Sequence, residues 1–131
     1  MAGPTKIEGV DGVVQTFLGA PPAQSVVDDE DARQLRQDIT QGDAVWITGV
    51  RIDNSENPET MAYIKFYDDD TPDVGVTPPV MVLRAKPGTV TEFFVKAVVD
   101  YLSYIVHAEP GKGGTDSCPN PVRVTYGIFP K

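Results

Sequence analysis

Residues 61–83 read MAYIKFYDDDTPDVGVTPPVMVL, and this stretch decides the fold class. Its first half alternates. Ala62, Ile64 and Phe66 point one way; Met61, Tyr63, Lys65 and Tyr67 point the other. A period of two is the mark of a strand whose two faces meet different surroundings. Asp68-Asp69-Asp70-Thr71-Pro72-Asp73 then solvates a turn and does not extend a sheet. Gly75 gives the backbone freedom, and Pro78-Pro79 stiffens the entry to a second strand, Val80–Leu83. The stretch is therefore strand, acidic loop, strand.

Working outward, the chain downstream repeats this grammar. Lys86-Pro87-Gly88 is a tight-turn signal, and Thr89–Lys96 (TVTEFFVK) alternates again. Val98–Glu109 (VVDYLSYIVHAE) reads as a strand from its Tyr, Ile and Val content, although Leu102, Ile105 and Val106 also suit a helix face. Pro110–Pro121 is a loop, and Val122–Phe129 closes the chain with Val122, Val124, Tyr126 and Ile128 on one face. Upstream, Ala44–Asp53 (AVWITGVRID) is a strand, and Asp53–Glu59 (DNSENPE) is a loop joining it to Thr60–Tyr67 as an antiparallel hairpin. Residues 32–40 (ARQLRQDIT) suit a short helix opened by Asp28–Asp31, or an edge strand, about equally. Val13–Leu18 is a short strand that needs a sheet to join. Six strands after residue 44, with Pro/Gly turns between them, predict an all-β, jelly-roll-like antiparallel β-sandwich. Residues 1–43 are expected to form an N-terminal arm and residues 44–131 the sandwich.

Length and charge narrow the function. The 131 residues suit one domain with an arm, large enough to bury a core without staples. The lone Cys118 cannot form an internal disulfide, and no apolar run reaches membrane-spanning length. The start, MAGPTKIEGVDG, lacks the basic-then-apolar order of a signal peptide, so a product made and kept soluble in a cytoplasm, or released by lysis, is expected. The net charge is -8, with 13 acidic and 4 basic residues between Asp28 and Asp73. That balance disfavours a nucleic-acid partner, because phosphate contacts need a basic patch.

No catalytic constellation emerges. His107 is the one histidine, without a G-x-S-x-G elbow to serve. Gly111-Lys112-Gly113-Gly114-Thr115 departs from the phosphate-loop pattern, with Gly113 where Ser or Thr should follow Lys112 and no Gly at the upstream position. Asp68, Asp69, Asp70 and Asp73 are the kind of carboxylates that Ca²⁺ takes. Without the EF-hand order, a solvated hairpin tip is the favoured reading and no cofactor is expected. The aromatics on strands suit a core or a subunit contact more than a sugar groove.

The segment from Trp46 to Phe129 resembles a family of small tailed-bacteriophage virion proteins. The resemblance rests on Ile52-Asp53-Asn54 at a strand end and on Ala62-Tyr63-Ile64-Lys65-Phe66-Tyr67-Asp68. The loop Thr71-Pro72-Asp73-Val74-Gly75-Val76-Thr77-Pro78-Pro79 and the turn Pro87-Gly88 complete it. Val98–Ile105 is bulkier than the glycine-rich stretch usual there, and residues 1–43 lie outside the match. The resemblance implies a β-sandwich without enzymatic activity. It would be a capsid decoration (cement) protein on the virion surface, partnering the major capsid protein as a homo-oligomer, preferably a trimer. It implies no membrane partner. Phe17, Leu18, Trp46, Tyr63 and Tyr67 are the candidate contacts to a neighbouring subunit. The alternative is a tail- or fibre-associated module that reads a host glycan through Trp46, Tyr63 and Tyr67.

Overall fold

A strand of alternating side chains must add to a sheet, and a sheet with one apolar face must cover it. Both requirements are met here by two antiparallel sheets. The computed structural model describes residues 4–7, 13–17 and 25–131, with side chains from residue 25 onward. The strands are β1 (Pro4–Ile7), β2 (Val13–Phe17), β3 (Ser25–Asp29), β4 (Val45–Asp53) and β5 (Ala62–Asp68). They continue as β6 (Met81–Ala85), β7 (Val90–Val99), β8 (Leu102–His107) and β9 (Arg123–Pro130). One sheet runs β1-β2-β3-β9-β4-β7 and the other β6-β5-β8. No helix occurs among the described residues.

The segment 32–39 completes the smaller sheet as an irregular fourth member. Arg36 and Tyr104 exchange backbone hydrogen bonds of 2.9 and 3.0 Å, Val106 donates to Ala32 and Ile39 donates to Leu102. With that segment included, the chain passes between the sheets in jelly-roll order: β3-β9-β4-β7 faces 32–39, β8, β5 and β6. The all-β sandwich expected from the sequence is the observed architecture.

Three boundaries differ from expectation. First, residues 25–43 are not part of an arm. β3 pairs along β9 from Ser25–Ile128 to Asp29–Val124, and Val27, Ala32 and Ile39 lie in the core. The acidic cluster before residue 32 opens no helix. Asp29 and Asp31 instead accept from Arg36 and Arg33, at 2.8 Å each. β2 in turn pairs with β3 of its own sheet. Second, β4 and β5 form no hairpin. β4 lies between β9 and β7, while β5 lies between β6 and β8, so the 54–61 loop crosses from one sheet to the other. Third, Val98 and Val99 end β7, and the chain turns at Asp100-Tyr101 before β8.

The core fills the space between the sheets. Ile47, Val50 and Ile52 of β4 meet Ala62, Ile64 and Phe66 of β5 within one buried cluster. Tyr126 stands edge-on to both Phe66 and Tyr104, with ring centres 5.3 and 5.5 Å apart, a favourable aromatic geometry. The turn after β6 has the form its sequence demands. Pro87 takes the position that needs φ near -65°, Gly88 takes φ +70°, and Thr89 N donates back to Lys86 O.

Candidate functional site

The residues with chemical potential are mostly spent on holding loops. Lys65 of β5 is fully buried, and the Glu109 charge acts on it while neutral groups accept its protons. Its ammonium donates to Gly111 O and Gly114 O at 2.7 Å each and meets His107 Nδ1 at 3.0 Å. Three donors thus have three acceptors, which requires His107 to be neutral with its proton on Nε2. Burial lowers the Lys65 pKa. Burial, and then the Lys65 charge, push His107 down to about 4. The Gly111–Thr115 stretch is therefore a carbonyl cradle for a lysine.

The residues carrying the family resemblance do similar work. Asn54 Nδ2 donates to Thr60 O at 2.7 Å and to Lys86 O at 3.2 Å. Asn57 Nδ2 donates to Asn54 Oδ1 and Asn120 O, while its Oδ1 accepts from Asn120 N at 2.8 Å. These buried amides clamp the crossing loop to two others. Asp68 Oδ1 accepts from Asp100 N and Tyr101 N, fixing the corner between β7 and β8. Asp69 Oδ1 accepts from Thr71 N. Among the described residues no group of three or more acids, histidines or cysteines is placed to hold a metal ion. Cys118 is buried with its thiol 3.6 Å from Met61 O, and burial raises its pKa.

The five candidate contact residues do not form one surface. Tyr67 is 0% exposed, which removes it as a contact residue. The reason is that β5 is covered on both faces. Ala62, Ile64 and Phe66 face the other sheet, while Tyr63, Lys65 and Tyr67 face loops that close over the outside. Two of those loops touch: Thr115 Cγ2 lies 3.3 Å from where a Cβ on Gly75 would stand. Tyr63, half-buried on this outer side, is across the sandwich from Trp46. Phe17 is the last residue of β2 and its side chain is not described; Leu18 lies outside the described residues.

Trp46 belongs to a different surface, the outer face of the larger sheet. It pairs with Val98 on β7 and Phe129 on β9, and Lys96 Nζ sits 5.2 Å from its ring centre. At the far end of this face, ion pairs close the surface. Arg123 donates to both Asp28 oxygens at 2.8 and 2.6 Å, holding that carboxyl below its usual range, and Arg51 lies 3.6 Å from Glu92. Between these ends stands Phe94, 101% exposed. The pairing of β4 with β7 shifts between Thr48 and Val50, so the position across from Phe94 is Gly49, at φ +23°. Glycine offers no side chain for the ring to lie on. Sequence reading missed Phe94. Its alternation with Phe93 was visible, but not which of the two faced water.

Neither a family model nor a curated protein matches the chain. A crystal structure of CapF with the inhibitor 3-isopropenyl-tropolone is similar to this chain, at 10% identity and a TM-score of 0.39. The similarity covers 100% of this chain and 31% of CapF, so the chain spans about a third of that protein's length.

Proposed function

We propose that this protein is a non-enzymatic structural component of a phage virion, a decoration protein that binds the head by bridging major capsid protein subunits. The observation that carries the reading is the bare outer face of the larger sheet, where Phe94, Val90 and Val98 are exposed on one strand. Exposed apolar side chains gathered on one sheet face, here interleaved with Glu92 and Lys96, suit burial against another protein. The family resemblance on residues 46–129 supplies the identity of that protein. The same reading needs no catalytic group and no cofactor. Lys65, His107 and Asp68 have structural partners instead. Each copy adds a modest contact area, and capsid symmetry multiplies the effect.

The test is to mix the purified protein with heads that lack it, then locate it with immunogold. Label spread over the head, with heads surviving higher temperature, is the expected result. Phe94→Ser should abolish the label while the variant stays folded. Label confined to the tail tip would overturn the head reading in favour of glycan recognition. Titration of Trp46 fluorescence with host sugars would then follow, since Trp46 and Tyr63 lie on opposite faces and only one can serve a given sugar.

A further inference from the structure

We propose that the open edge of β7 pairs with β7 of a second copy of this chain. The two-fold axis would pass through Phe94 and join two sheets into one continuous sheet. The proposal does not depend on where the protein acts.

β7 is the last strand of its sheet and, at 10 residues, the longest strand among the described residues. A long edge strand with exposed apolar side chains is a template for another strand. Its backbone groups are set for this. Asn54 N donates to Thr89 O at 2.8 Å, which turns residue 89 toward β4. At the other end Lys131 N donates to Ala44 O, so even-numbered β4 residues there face β9 and odd-numbered ones face β7. Val45 and Ile47 therefore meet Val99 and Ala97. In an antiparallel strand successive residues turn their N–H and C=O to opposite sides. Val90, Glu92, Phe94, Lys96 and Val98 thus direct both groups to the open edge. Those same residues carry the exposed side chains.

The strand is also complementary to itself. Centred on Phe94, an antiparallel copy places Val90 opposite Val98, Glu92 opposite Lys96 and Phe94 opposite Phe94. The charged pair recurs on both sides of the axis, as a two-fold contact requires. Sliding the register by two residues sets Glu92 against Phe94 or Val98. Sliding it by four sets Glu92 against Glu92 or Lys96 against Lys96. Only the centred register joins opposite charges, and cross-strand charge pairs reward that choice. Both groups are within reach of a partner: the Glu92 side chain is 72% exposed beside Arg51, and Lys96 lies over the Trp46 ring on the open face.

The test is sedimentation equilibrium of the full chain from micromolar to millimolar concentration. A mass of two copies is expected. Glu92→Lys sets like charges against each other twice and should weaken the dimer about 30-fold. Adding Lys96→Glu to it restores opposite pairs and should restore the dimer. Under mild oxidation, Phe94→Cys should give a covalent dimer, because residues facing each other on the axis lie within disulfide reach. Val90→Cys, which faces Val98, should not. A monomer at every concentration would overturn the proposal. So would a three-copy mass, a dimer indifferent to Glu92→Lys, or cross-linking through position 90 as readily as through 94.

Discussion

The outer faces of the two sheets have opposite fates. The smaller sheet is roofed by its own loops, and the roof is pinned by Lys65 from within β5. The larger sheet leaves Val90, Phe94 and Val98 to solvent and closes one end with ion pairs. Both faces present aromatics, but Tyr67 of the smaller sheet is wholly covered whereas Phe94 of the larger one is wholly exposed. Aromatic content alone therefore does not locate a contact surface. What matters is whether a loop spends its own backbone to cover it.

That contrast is most severely tested at Lys65. Lys65→Met removes the ammonium and leaves two loop carbonyls and His107 without their donor, so unfolding should become easier by about 3 kcal/mol. Urea denaturation measures this, and a loss below a quarter of that figure would show that the roof is not pinned. Hydrogen exchange should rise over 109–117 and leave β9 unchanged.

Acid is the next probe. The His107 pKa falls to about 4 on folding from an ordinary 6.5, so between those values the folded protein holds fewer protons than the unfolded chain. Stability is then complete above pH 6.5 and is lost as pH falls toward 4, by about 2–3 kcal/mol. Asp28, Asp31 and Asp53 have lowered pKa values and add a loss in the same direction at lower pH. His107→Gln keeps a neutral side chain and should flatten the Tm profile between pH 6.5 and 4. An unchanged slope would mean that the histidine does not charge against Lys65.

A smaller effect is expected at the corner. Asp68→Ala frees the Asp100 and Tyr101 N–H groups at an exposed site, at a cost of about 1 kcal/mol. The smallest is on the open face. Phe94→Ser should change the unfolding free energy by less than about 0.5 kcal/mol, because the ring packs on nothing in the single chain. A large stability loss there would break the contrast between the two faces; a neutral variant that no longer assembles would sharpen it.

How much of this was legible beforehand can be traced residue by residue. The alternation of Ala62, Ile64 and Phe66 grouped them on one face without saying which way it pointed, and all three are in the core. Lys86-Pro87-Gly88 named a turn, and Gly88 takes the positive φ such a turn needs. Asn54 and Asp68 were visible within the resemblance motifs, but their roles as loop clamps were not, since the backbone groups they hold at Lys86 and Asp100 are more than 30 residues away in sequence. Tyr67, expected at a contact surface, shares its face with Lys65, and that face is covered. The lysine is buried by a loop more than 40 residues downstream.

The sequence by itself determined that the chain is all-β and where most strands after residue 44 lie, because period and turn chemistry are local properties. Only the tertiary structure decided which sheet each strand joins, that residues 25–43 belong to the sandwich, and which outer face stays open. Those outcomes depend on contacts between distant segments. A period of two reports that a strand has two unlike faces, but not what will come to cover either one.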